Sequence, residues 1–109
     1  LQWHERRLEI RIAEADHEAA VIDFRQTLYA ALGEVEDALS ARRQLALQGE
    51  RLQQSLDAAR RAERLYELRW RAGAEPLRVY LQAQETRRQA ELALDANRLD
   101  ALNAHAALV

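Results

Sequence analysis

Apolar residues recur at every seventh position along most of this chain. Counted from Phe24, one column reads Phe24, Ala31, Ala38, Leu45, Leu52, Ala59, Tyr66 and Gly73. A companion column four residues on reads Leu28, Val35, Arg42, Gly49, Leu56, Glu63 and Trp70. Such alternating spacing predicts the seam of a left-handed coiled coil. Upstream the pattern continues less cleanly through Ile10, with His17 interrupting it. Leu32, Leu39, Leu47, Leu65 and Leu68 lie off the seam, so the predicted helix carries more than one apolar stripe and calls for more than one neighbour.

The pattern breaks at one place. Gly73 and Pro76, the sole proline, stand three residues apart in sequence that is otherwise helix-forming. A glycine able to take a left-handed C-cap, followed by a proline suited to a helix start, is a stop-and-restart signal. Before it, Gly33 and Gly49 are the weak points, each costing about 1 kcal/mol relative to Ala. The chain therefore predicts a helix over about 4–72, a tip at 73–76 and a second helix over about 77–107. At about 1.5 Å per residue the first would be roughly 100 Å long. In the second, the columns are Tyr80, Arg87, Leu94, Ala101, Leu108 and Ala83, Ala90, Asn97, Ala104, and the many alanines suit close antiparallel packing.

The expected fold class is thus all-α: a long antiparallel coiled-coil helical hairpin with unequal arms. The short arm can cover only the last half of the long one. Residues of about 4–38 would then expose an apolar stripe, which calls for cover. Other chains can supply it, or the chain can fold back near Gly33 or Gly49 into a three-helix bundle. The sequence leaves both open.

Composition narrows the functional classes. The chain has 109 residues, enough for one domain, with no Cys and no Met, and all its basic residues are Arg. Without Cys there is no disulfide framework and no thiol chemistry. The absent initiator Met and a start already inside an amphipathic pattern lead us to expect a piece of a longer protein. Net charge is −2, with both signs interspersed, which argues against a nucleic-acid groove. The apolar runs Ala19–Ile22 and Leu28–Leu32 fall far short of the roughly 20 residues that span a bilayer. His4, His17 and His105 are scattered without metal-ligand spacing. There is no phosphate loop, catalytic triad or nucleophile motif, so no enzyme, metal or cofactor is expected.

Four segments carry a resemblance. Leu28–Leu39 (Leu-Tyr-Ala-Ala-Leu-Gly-Glu-Val-Glu-Asp-Ala-Leu) resembles the "AL-x-EVEDAL" stretch of TolC-type outer-membrane efflux proteins. Leu65–Gly73 is similar to that family's "RY-x-x-G" segment, Leu77–Gln84 to its "LDVLDAQ" helix start, and Ala90–Leu94 to its "AE-x-AL" continuation. Their order and spacing fit across about 16–109. The resemblance implies a segment of a homotrimeric outer-membrane channel, with this chain as the second periplasmic repeat of a long helical tunnel. It implies a long helix descending, a periplasmic tip and a shorter helix returning. It also implies a tripartite export system with a periplasmic adaptor protein and an inner-membrane transporter. The isolated piece, lacking the barrel and first repeat, is expected to self-associate but not to form a pore.

Carried onto this sequence, adaptor docking falls on Arg71, Ala72, Gly73, Ala74, Glu75 and Pro76, for which a plain helix–helix turn is the alternative. A tunnel gate falls on Trp70, Arg78, Val79 and Gln82, for which a core aromatic at the seam is the alternative at Trp70 and a solvated helix cap the alternative at Arg78. The two acidic residues of the family's "LDVLDA" correspond to Val79 and Gln82, so a carboxylate ring is missing here. Arg69, Arg71 and Arg78 surround Glu75 instead and make the tip locally basic. Two other classes stay in view, the helical hairpin of a periplasmic adaptor and a generic coiled-coil or three-helix scaffold. The tip Ala-Gly-Ala-Glu-Pro lacks the Arg-Leu-Ser pattern typical of adaptor hairpins.

Overall fold

A computed structural model describes residues 2–108. Two helices account for nearly all of them: α1, Gln2–Arg71, and α2, Leu77–Leu108. These match the expected all-α hairpin with unequal arms, of 70 and 32 residues. Helix α1 runs unbroken through Gly33 and Gly49, so the described residues form two helices and not three.

The chain divides into two units, Leu1–Asp37 and Ala38–Val109. In the first, every described residue except the half-buried Gly33 is exposed. Ile10, Ile12, Ile22, Phe24 and Leu28 lie open, as does Val35. Thus the seam pattern upstream of Ala38, although continuous in sequence, is uncovered here. The Arg7 guanidinium sits 5.6 Å from the centre of the Trp3 ring, a contact between residues one helical turn apart.

The second unit is the hairpin. Cross-helix contacts pair Trp70 with Tyr80, Glu63 with Arg87, Gln53 with Arg98 and Gly49 with Asn97. Sequence separation grows steadily away from the tip, which makes the helices antiparallel. The residues withdrawn from solvent are those of the predicted columns. On α1 they include Ala38, Leu45, Leu52, Ala59 and Tyr66, with Gly49, Leu56 and Glu63. On α2 they include Tyr80, Arg87, Leu94 and Ala101, with Ala83, Ala90, Asn97 and Ala104. Leu56, Ala59, Ala83 and Leu94 form the buried apolar centre.

Three column members depart from that pattern, the first being Gly73, which lies exposed in the turn itself. Arg42 is exposed, as a guanidinium prefers when nothing pairs it across the seam. Trp70 keeps 38% of its surface in solvent, because α1 ends one residue later and no further turn covers the ring. Off the seam, Leu47, Leu65, Leu68, Leu92 and Leu99 are exposed. The second apolar stripe predicted for the helix therefore has no cover within this hairpin.

Candidate functional site: the hairpin tip

Gly73 has φ +78°, the left-handed conformation that glycine adopts without the clash of a side chain. Two hydrogen bonds close around it. The Ala74 amide donates to the Arg69 carbonyl at 2.8 Å and the Gly73 amide to the Trp70 carbonyl at 2.9 Å. This is the Schellman arrangement, with Gly73 as its C′ residue, and it satisfies carbonyls that the end of α1 leaves free. The Glu75 amide also points at Arg69 O, at 3.4 Å. Beyond it, Pro76 directly precedes Leu77, the first residue of α2, and its carbonyl accepts from the Val79 amide at 3.1 Å.

Charges reinforce the turn. Arg69 reaches Glu75, with Nη1 to Oε1 at 3.8 Å, and lies 5.8 Å from the Tyr66 ring centre. Arg71 pairs with Glu67 one turn back at 2.7 Å. Both arginines stand in the last turn of α1, where the helix dipole favours positive charge, and Glu75 stands before α2, where it favours negative charge. Arg78 has neither advantage: it lies in the first turn of α2, exposed, with no ion-pair partner among the described residues. The uncompensated charge of the tip is therefore on Arg78.

Of the residues assigned to docking, Arg71, Ala72, Gly73, Ala74 and Pro76 are exposed and Glu75 is half-buried. They are contiguous and form the end of the hairpin. Of the residues assigned to a gate, Trp70, Arg78 and Gln82 are exposed and Val79 is half-buried. Trp70 is tied to the returning helix by the Tyr80 ring, centroids 5.5 Å apart and planes tilted by 32°. The Tyr80 hydroxyl in turn accepts from Gln84 Nε2 at 2.9 Å. Thr86 Oγ1 donates to the Gln82 backbone carbonyl at 3.0 Å.

Above the tip the seam carries two polar layers that sequence reading placed in the columns but did not pair. Arg87 Nε meets Glu63 Oε2 at 2.5 Å and its Nη1 meets Glu91 at 3.0 Å, while Arg60 approaches Glu91 at 3.6 Å. Those carboxylates raise the Arg87 pKa, through the Glu63 hydrogen bond first. Farther up, Asn97 faces Gly49. The signal for both was present: each is a polar or side-chain-free interruption of an otherwise apolar column. No helix among the described residues is long and apolar enough to cross a membrane.

The sequence matches the family described as Outer membrane efflux protein over residues 1–109. The chain belongs to this family. It is 31% identical over 94 residues to an uncharacterized protein of Haemophilus influenzae, a match that covers 86% of this chain. The chain spans about a fifth of that relative, 21% of its length. No solved structure matches it. Membership accounts for the four motif segments together, and it places the hairpin in a family of outer-membrane efflux proteins.

Proposed function

We propose that this chain is a periplasmic helical-hairpin segment of an outer-membrane efflux channel, part of the tunnel wall of a homotrimer. In this reading the tip docks a periplasmic adaptor, in a tripartite export system completed by an inner-membrane transporter. Family membership supports the channel. The observation that carries the docking role is the form of the tip: Ala72, Gly73, Ala74 and Pro76 are small or rigid, exposed and fixed by the Schellman bonds. A preformed, low-profile end can be gripped by another protein at little ordering cost. The wall role is supported by the uncovered stripe Leu65, Leu68, Leu92 and Leu99, which needs neighbours on the hairpin's outer faces.

Gating in this reading rests on Trp70, Arg78, Val79 and Gln82. Without a carboxylate ring, closure is by bulk at Trp70 and by Arg78, whose free charge is available to a carboxylate of a neighbouring subunit. The test is made in the full-length protein. A photo-crosslinking residue at Ala74 should capture the adaptor, and Ala74→Trp should abolish both capture and export while the channel still trimerises. Unchanged adaptor capture and export in Ala74→Trp would remove the docking role. A disulfide joining neighbouring tips should stop export. Export at full rate through a locked tip rules out the gate.

A further inference from the structure

We infer that Asn97 and Gly49 form a key that fixes the axial register of the hairpin, so that α2 cannot step along α1. Asn97 is 7% exposed, the one polar residue in the buried set among the described residues. Its Nδ2 donates to the Leu45 carbonyl at 3.1 Å and approaches Gln48 Oε1 at 3.4 Å. Its Oδ1 lies 2.7 Å from where a Cβ on residue 49 would stand, and that residue is glycine. The buried amide thus occupies a hole that exists only because position 49 has no side chain.

An apolar seam alone sets register weakly. Leu56, Ala59, Ala83 and Leu94 present similar surfaces after a step of one heptad, and coiled coils resolve such degeneracy with a buried polar residue. Here each possible step fails in two places at once. Moved one heptad one way, Asn97 meets Leu56 in place of Gly49, and Arg87 meets Trp70 in place of Glu63. Moved the other way, Asn97 meets Arg42 and Arg87 meets Leu56. In both cases an amide loses its room and a guanidinium loses its carboxylate. Leaving a buried amide without room, or a partly sheltered guanidinium without its carboxylate, costs more than forming the pairing gains. The native register is the one alignment in which both layers are satisfied.

This goes beyond a channel role, because it concerns how the hairpin can move whatever it lines. With the Schellman turn closing one end and the Asn97 key set far up the seam, motion at the tip carries both helices together and does not slide one past the other.

The test is a distance measurement in the full-length protein, with any cysteine outside these 109 residues replaced; the 109 residues contain none. Spin labels are placed at Arg61→Cys and Asn103→Cys, both exposed and well offset along the hairpin, and diluted with unlabelled chain. The native seam should give one narrow distance, and so should a background in which Glu63→Leu and Arg87→Leu remove the charged layer. In that background Asn97→Leu should add a second population displaced by about 10 Å, one heptad at about 1.5 Å per residue, with helical content retained. Gly49→Ala/Asn97→Ala in the same background removes key and hole together and should show both distances. A single unshifted distance in either variant overturns the key. Should the Asn97→Leu variant lose its helical signal, the Gly49→Ala/Asn97→Ala variant decides on the same criterion.

Discussion

Arg87 projects into the seam from α2 and meets Glu63 of α1, Nε to Oε2 at 2.5 Å, with both side chains less than a third exposed. Glu91 and Arg60 extend the pair into an alternating row of charges. Because the pair is partly sheltered, removing one partner leaves the other facing an apolar seam. Arg87→Leu and Glu63→Leu should each lower the melting temperature of the hairpin, and the exchange Glu63→Arg/Arg87→Glu should recover much of the loss. Thermal melts by circular dichroism read this directly. Additive losses in the exchange variant would show that the two side chains do not act as a pair.

One exposed carboxylate, Glu85, couples stability to acid. Arg88 holds Glu85 through two hydrogen bonds, at 2.7 and 2.9 Å, and these lower the Glu85 pKa from its ordinary value. A group with a depressed folded pKa contributes stability above its unfolded pKa and loses it as pH falls through the folded one. For Arg87, whose pKa is raised, the contribution is fully present far into the alkaline range. The Glu85 contribution should therefore be present at neutral pH and be lost as pH falls through its lowered folded pKa. The loss should be small, since the Glu85–Arg88 pair is exposed and such pairs contribute little, and Glu85→Gln should abolish it. Melting curves of the native chain and Glu85→Gln from neutral to acid pH check both statements.

Much of this architecture is legible in the sequence, and the reasons for the remainder are physical. Both seam columns, the Gly73 cap and the restart at Pro76 follow from periodicity and backbone preference. Periodicity specifies a stripe but not its occupant, which is why Phe24, Leu28 and Val35 read like Leu45 and Leu52 yet stand in solvent. Trp70 belongs to its column by count, but a column says nothing of where the covering turn ends. The Asn97–Gly49 and Arg87–Glu63 layers require counting outward from the tip along two helices at once. The residues proposed for a gate resist reading for another reason: a constriction would be defined by what faces it from other chains.

Gly33 and Gly49 look equivalent in the sequence and should respond oppositely to alanine. Nothing lies within 4 Å of a Cβ built at Gly33, so Gly33→Ala adds helix preference without contact. It should stabilise the helix by about 0.5–1 kcal/mol. At Gly49 the same Cβ would meet Asn97 Oδ1 at 2.7 Å, so Gly49→Ala should destabilise in spite of the same local preference. Paired urea melts of the two variants give the signs, and equal effects would mean that Asn97 yields without cost.

The Trp70–Tyr80 ring pair joins the two helices beside the tip. Trp70→Leu retains apolar bulk and removes the ring contact, with an expected loss of about 1 kcal/mol. Protection of the Gly73 and Ala74 amides from hydrogen exchange should fall in the same variant, because those amides bond to Trp70 and Arg69 carbonyls at the end of α1. Unchanged protection would make the ring pair an ornament of the tip and not part of what holds it.

Gly73→Ala isolates the backbone requirement of the turn. The space around Gly73 is open, with nothing within 4 Å of a built Cβ, so no packing clash contributes. What remains is the φ of +78°, which an L-residue with a side chain adopts at a cost of roughly 1–2 kcal/mol. Gly73→Ala should lower stability by that amount, and Gly73→Asn by less, because asparagine tolerates the left-handed region better. A D-alanine at position 73, introduced by semisynthesis, should be neutral or stabilising, since its side chain is suited to positive φ and restricts the unfolded chain. Urea melts of the three variants order them. Should D-alanine and L-alanine prove equally damaging, a steric or partner contact at Gly73, and not its handedness, would be the reason for the glycine.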